Sequence, residues 1–300
     1  MLRWRFFLGT VLVAALLGLF WLDHAASLPG LALMPVLVAS VVLGTQELLG
    51  LLRAGGLGPG AVTVYGANLL VVLAPWLGPL AVQLADEAGP GGIPSGAGAG
   101  GLWIALAMGI GLVALFAAQI RRFRAPDTAA ANVAGAALAM VYLGLLPGLL
   151  VQLRMDWGIA ALASLLIIVK LGDTGAYAAG KLLGRHKLAP VLSPGKTVEG
   201  AFGALVACCI GAWATFQWLV PAITGSPPCS GIGWRAVLFG AALCVAGMLG
   251  DLSESLLKRG AGRKESSTWM PGFGGVLDML DSVLLAAPVA YLLWLAGLVP

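Results

Sequence analysis

Apolar runs of about 20 residues, the length a helix needs to cross a bilayer, recur along the whole chain. Polar residues gather in the stretches between them. The pattern predicts about nine transmembrane helices, over residues 6–22, 28–52, 61–85, 101–120, 130–153, 157–177, 198–220, 234–256 and 276–299. The longer runs are expected to tilt. A membrane β-barrel would instead show short segments of alternating polarity. The Gly-rich stretch 86–101 and the charge-free stretch 221–233 read as loops. The basic start and apolar run of the first 22 residues look like a secretion signal. No small-residue cleavage site follows, and "FFLGTVLVAALLGLFWL" is long enough to span, so an uncleaved first helix is expected.

Composition agrees: 60% of residues are hydrophobic and 10% charged, against about 25% charged in soluble domains. The expected fold is an all-α polytopic integral membrane protein. Its net charge of +4 reflects loop placement, and no nucleic-acid partner is expected. Cys208, Cys209, Cys229 and Cys244 lack metal-site spacing.

With nine spans the termini lie on opposite sides. Arg3, Arg5, Arg53, Arg121, Arg122, Arg124, Lys181, Arg185, Lys187, Lys196, Lys258, Arg259, Arg263 and Lys264 then share the N-terminal side, 14 of the 17 Lys and Arg residues. Arg154 and Arg235 fall opposite, and Lys170 lies within a span. The positive-inside rule makes the N-terminal side cytoplasmic and puts the C-terminus on the opposite side.

An ionisable group at a helix centre costs about 2.5–3.5 kcal/mol on insertion scales. The chain nevertheless carries Glu47, Lys170, Asp173, Asp251, Glu254, Asp278 and Asp281 in or beside spans. All but Glu47 lie in the second half. This divides the chain into a scaffold of about five spans (1–153) and a catalytic region of about four (154–300), with cytoplasmic loops at 178–197 and 257–275. Lys170, Asp173, Thr174 and Tyr177 share one helix face, as do Asp251, Glu254, Ser255 and Lys258, and Asp278, Asp281 and Ser282. Three such stripes are best buried around one wet cavity. From Trp234, at ~1.5 Å per residue, Asp251 lies about 25 Å further in, near the cytoplasmic face. Asp173 and Asp278 sit at a similar depth. An ion path would have stations across the whole membrane; one inner cluster suits a site that takes one substrate from the cytosol and another from the bilayer. The plainer alternatives are that Glu47 is a buried acid paired with backbone or an Arg, and that Lys170 snorkels or neutralises Asp173.

Two loops complement the stripes. "GKLLGRHKLAPVLSPGKTVEG" (180–200) is basic and ends at a helix start, where free N–H groups could meet an anion. Its "SPGKT" is not a Walker loop, because Pro190 stands where that pattern needs Gly. Anchoring of lipid head groups is the simpler role for this loop, and solvation for His186. The loop "KRGAGRKESSTWMPGFGGV" adds Lys258, Arg259, Arg263 and Lys264, with Gly272, Gly274 and Gly275 allowing close backbone approach to a ligand. Phosphates call for such cations, and polyphosphates for a hard divalent metal on few carboxylates. Asp251 and Asp278 flank this loop.

At these residues the chain resembles the phosphatidate cytidylyltransferases (CDP-diacylglycerol synthases). The match runs through Ser255, Lys258, Arg259, Lys264, Ser267, Pro271, Gly272, Gly274, Gly275, Asp278 and Asp281. It includes "DTGAY" (173–177), "GRHKLAP" (184–190), "SPGKTVEG" (193–200) and "GDLSES" (250–255). Order and spacing agree over 170–282; the first 150 residues agree only in being apolar spans. Phe273, Met279 and Glu265 depart from the family's His, Arg and Asp.

The resemblance implies transfer of a cytidylyl group from CTP to phosphatidate, giving CDP-diacylglycerol and pyrophosphate for phospholipid biosynthesis. It implies Mg²⁺ on Asp251 and Asp278, a second cation with Asp281 as nearest further ligand, and Lys196, Lys258, Arg259 and Lys264 on phosphate charge. Ser193, Thr197, Ser255, Gly272, Gly274 and Gly275 would contact substrate, and Asp173 would orient Lys170 or another cation. Partners would be CTP, phosphatidate and the lipid membrane, with a homodimer as one open assembly. The location would be a bacterial inner membrane, with the site facing the cytoplasm. A related lipid-phosphate transferase, a weak or inactive homologue with a binding role, and a transporter of anionic substrates stay open.

The charge asymmetry yields a test. Cysteines introduced within 181–196 and within 259–267 should both be labelled from the cytoplasmic side by an impermeant reagent. Labelling from opposite sides would rule out one shared site.

Overall fold

The computed structural model describes residues 14–15, 17–26, 28–88, 99–123, 128–227, 231–267 and 274–299. Residues 17–25 are helical. There follow α1 (Met34–Ala54), α2 (Ala61–Ala88), α3 (Ala99–Arg121), α4 (Ala129–Met140), α5 (Leu146–Leu183), strands β1 (Lys187–Ala189) and β2 (Ser193–Thr197), α6 (Val198–Ala214), α7 (Val220–Thr224), α8 (Gly233–Gly260) and α9 (Val276–Leu295). Segments Val141–Leu145 and Thr215–Leu219 are π-helical and continue α4 into α5 and α6 into α7.

The protein is an all-α polytopic membrane protein. Among the described residues, 7 helices are long and apolar enough to cross a bilayer. One of them, Ala129–Leu183, has 55 residues. A straight helix of that length would measure about 80 Å, more than twice the hydrocarbon core. It is interrupted at Gly158, where φ is 80° and ψ −175°, a region essentially restricted to Gly. Contacts on either side show a reversal. Leu143 packs on Gly44 of α1, one turn from Glu47, which bonds the start of α9. Asp156 has reached the far end of α9, where Tyr291 Oη donates to it at 2.9 Å. Lys170 is back at the start, 3.2 Å from the Met279 carbonyl. The spans expected at 130–153 and 157–177 are therefore antiparallel neighbours. The expected count of nine also needs a crossing within 6–22, part of which lies outside the described residues.

Several boundaries differ from the hydropathy pattern. Helix α5 runs to Leu183 rather than 177, α7 to Thr224 rather than 220, and α8 to Gly260 rather than 256. A helix outlasts its apolar run until something stops it. Here the stops are extended backbone at Gly184 and left-handed glycines at Gly225 (φ 68°) and Gly262 (φ 66°). Residues 29–33 form turns, and α1 starts after them with Pro35 in its first turn. The expected 178–197 loop is a helix end followed by the antiparallel β1–β2 hairpin, with Lys187 opposite Thr197.

Helices α5, α8 and α9 pack against one another, and α6 packs on α5 and α8. Small residues allow this. A Cβ on Gly175 would strike the Gly203 carbonyl, and one on Gly203 the Gly175 carbonyl. Gly240 lies on the backbone of Cys208 and Cys209, and Gly250 on that of Asp281 and Ser282. In lipid such close approach supplies the dispersion attraction that holds helices together. Away from that start of α9, Arg154 Nε lies 2.6 Å from Asp23 Oδ2, with both side chains buried. Arg154 Nη2 also donates to the Asp23 carbonyl. The pair joins the 17–25 helix to α5.

Gly158→Ala should destabilise the protein by about 1–3 kcal/mol through backbone strain, seen as a lower unfolding temperature in detergent. Gly101→Ala, where a new Cβ meets nothing within 4 Å, should not.

Candidate active site

The ends of α5, α8 and α9, with the hairpin, enclose a cavity of about 520 Å³. Its polar lining includes Asp173, Lys181, Lys196, Thr197, Asp251, Glu254, Lys258, Asp278 and Asp281. Deeper in, Val169, Leu243, Cys244 and Met248 supply an apolar wall. All three polar stripes therefore face one space.

Lys258 is the hub. Its Nζ lies 2.6 Å from Glu254 Oε2 and 2.5 Å from Asp278 Oδ1. Glu254 is 2% exposed, so its charge depends on that cation. Asp278 Oδ2 accepts from Ser266 Oγ at 2.5 Å and from Gly275 N at 2.8 Å. The latter is the reach of a first-turn carboxylate back to the N-cap, favoured by the helix dipole. Gly274 has φ 78°, and a Cβ there would press on the Asp278 carboxylate. Lys196 carries the hairpin to α8 by pairing with Asp251 at 2.7 Å. Lys170 pairs with Asp173 at 2.9 Å. Asp281, 5% exposed, accepts from Ser282 N and Oγ.

The remaining candidates lie around this centre. Ser255 is buried on α8, off the lining. Ser193 begins β2, away from the cavity. Arg259 donates to the Leu192 and Arg263 carbonyls, bracing the hairpin. Lys264 lines a second opening with Arg263, Glu265 and Glu47. Gly272, Pro271 and Phe273 lie outside the described residues. The start of α6 is not the open anion site its position suggested. Val198 N donates to the His186 carbonyl, Gly200 N to Thr197 Oγ1, and Glu199 takes the N–H groups of Arg185 and His186. Thr197 serves as the helix cap. His186 is exposed, with Nδ1 2.6 Å from Glu199.

Lys181, Glu254 and Ser266 were not among the candidate site residues. Glu254 is marked in the sequence only as the acid four residues before Lys258. Ser266 gave no sequence signal. For a metal, no group of three or more His, Cys, Asp or Glu among the described residues is placed to hold one alone. Asp251, Asp278 and Asp281 are hard oxygen donors around one cavity, however. Mg²⁺ is commonly held by one or two carboxylates together with substrate phosphates. The donor set fits an ion of that kind.

The model of the Cytidylyltransferase family matches residues 3–296. The chain belongs to the Cytidylyltransferase family. Among curated members, the phosphatidate cytidylyltransferase of Pseudomonas aeruginosa is 40% identical over 149 residues, 48% of this chain and 52% of that protein. That of Staphylococcus epidermidis is 42% identical over 127 residues, 42% of this chain and 46% of that protein. The chain thus spans about half the length of these relatives in the matched region. The Synechocystis phosphatidate cytidylyltransferase is 28% identical over 312 aligned positions, 93% of this chain and 94% of that protein.

Lys258→Met should strand Glu254 and Asp278 without their cation, at about 3–5 kcal/mol. Adding Glu254→Gln should recover part of that stability in thermal unfolding. A single variant as stable as wild type would show that Lys258 does not hold the two acids.

Proposed function

We propose that the chain transfers the cytidylyl group of CTP to phosphatidate, forming CDP-diacylglycerol and releasing pyrophosphate. The observation that carries this reading is the single cavity that joins lysines and carboxylates to an apolar wall. A phosphate-bearing lipid needs both surfaces at once. The family match and the names of the relatives support the same chemistry.

In this reaction a phosphatidate oxygen attacks the α-phosphorus of CTP, forming a new P–O bond. The bond from the α-phosphorus to the bridging oxygen breaks, and the electron pair leaves with pyrophosphate. The attacking phosphate monoester is already anionic near neutral pH, so no strong base is needed. The obstacle is bringing polyanions together. Lys196 and Lys258 are placed to offset phosphate charge, with Lys181 at the rim, and they are held in position by Asp251, Glu254 and Asp278. Lys264 and Arg259 add positive charge beside the hairpin and the loop before α9. Mg²⁺ bound by Asp251 and Asp278 would neutralise phosphate charge and polarise the α-phosphoryl group. Asp281, which lines the same cavity, would be the further acid for a second cation. Asp173 keeps Lys170 directed toward the start of α9. The cation bias supports a cytoplasm-facing site, and the bacterial relatives support an inner membrane, where CTP would reach the site from the cytosol and phosphatidate through the bilayer.

Purified protein in liposomes should release pyrophosphate only when CTP, phosphatidate and Mg²⁺ are all present. Asp251→Asn should lower that rate by on the order of a hundredfold or more, the loss of several kcal/mol of charge stabilisation. Solute counterflow without nucleotide would favour a transporter instead.

A further inference from the structure

We infer that Glu47, in the N-terminal half, is a positioning residue that sets the carboxylate of Asp278 for transfer. Its kinetic consequence rests on the cytidylyl-transfer reading; its geometry does not. Glu47 is the one acidic residue of α1, a helix otherwise apolar enough to cross the membrane. It is directed at the start of α9. Oε1 accepts from Val276 N at 3.0 Å and Oε2 from Leu277 N at 2.9 Å. Oε2 also lies 3.2 Å from Ser266 Oγ. That hydroxyl has a single hydrogen, and its shorter contact is the 2.5 Å one to Asp278 Oδ2.

Two carboxylates thus divide the N–H groups that open α9. Asp278 takes Gly275, and Glu47 takes Val276 and Leu277. A helix N-terminus attracts anions, and here both charges come from the protein. With Val276 and Leu277 engaged by Glu47, Asp278 keeps Oδ2 on Gly275 and Ser266 and presents Oδ1 to Lys258. A residue remote in sequence thereby fixes the orientation of the acid at the centre of the cavity. Gly275 permits the arrangement, since a Cβ there would occupy the space of the Glu47 carboxylate and Ser266 Oγ.

Three variants test this. Glu47→Gln keeps the shape but replaces one acceptor oxygen by a donor. Gly275→Ala pushes on the same carboxylate. Thr45→Val serves as the control for general damage to α1, because it breaks the buried bond from Asn68 Nδ2 to Thr45 Oγ1 without touching residues 266–278. Glu47→Gln should lower kcat about ten- to a hundred-fold, the usual effect of removing a group that orients a ligand. KM for CTP and phosphatidate should change little. Amide exchange over 274–278 should rise. Gly275→Ala should act likewise and add little to Glu47→Gln, as expected of one shared link. Thr45→Val should lower the unfolding temperature and leave kcat unchanged. The inference is overturned if Glu47→Gln keeps its kcat, loses activity only in step with folded protein, or leaves exchange over 274–278 unchanged. If the wild-type protein makes no CDP-diacylglycerol, the transfer reading fails, and exchange alone decides: a rise upholds the Glu47 link and no rise overturns it.

Discussion

The inner half of this protein is organised around one ammonium group. Lys258 lies within hydrogen-bonding distance of Glu254 on its own helix and Asp278 on the next. Two acids among apolar helices repel each other and carry a large desolvation cost; a shared cation converts that cost into a fixed geometry. The consequence reaches beyond the pair. Asp278 orders the first turn of α9 and the Ser266 contact, and Lys196 draws the hairpin onto Asp251. Lys170, Lys196 and Lys258 are each matched by a neighbouring acid, which lets a polar cavity exist at the edge of a largely apolar bundle.

Helix packing makes that matching precise. Gly250 allows α8 to touch the backbone of α9 beside Asp281, and Gly175 with Gly203 does the same for α5 and α6. Side chains three and four residues apart on each helix then meet across the gaps. The buried Asp23–Arg154 pair and the Asp156–Tyr291 bond lie toward the other end of α9. They hold the reversal at Gly158, and so the register in which Lys170 returns to Met279.

Much of this was legible in the sequence because lipid leaves so few places for charge. Lys170, Asp173, Asp251, Asp278 and Asp281 stood out as helical stripes in apolar runs, and the stripes do converge. The turn between the fifth and sixth apolar runs carries Arg154 and Asp156. What stayed hidden depends on three-dimensional pairing. Glu47 is expected to pair with backbone or an Arg and does pair with backbone, but which backbone is apparent only once α9 is seen to begin on it. Ser266 sits in a polar loop, outside the motif match that includes its neighbour Ser267. The β1–β2 hairpin is too short and too rich in Pro and Gly to show alternation. Helix ends extended beyond the apolar runs because hydropathy marks the bilayer, whereas glycine and caps mark the helix.

The central claim is that the inner cavity serves cytidylyl transfer rather than phosphoryl transfer or transport. Label position separates these directly. Purified protein in phosphatidate liposomes would be supplied with CTP labelled at either the α- or the γ-phosphorus. The account predicts that the α label enters the lipid fraction and the γ label leaves as pyrophosphate. Entry of the γ label into lipid, or of neither label, would contradict it.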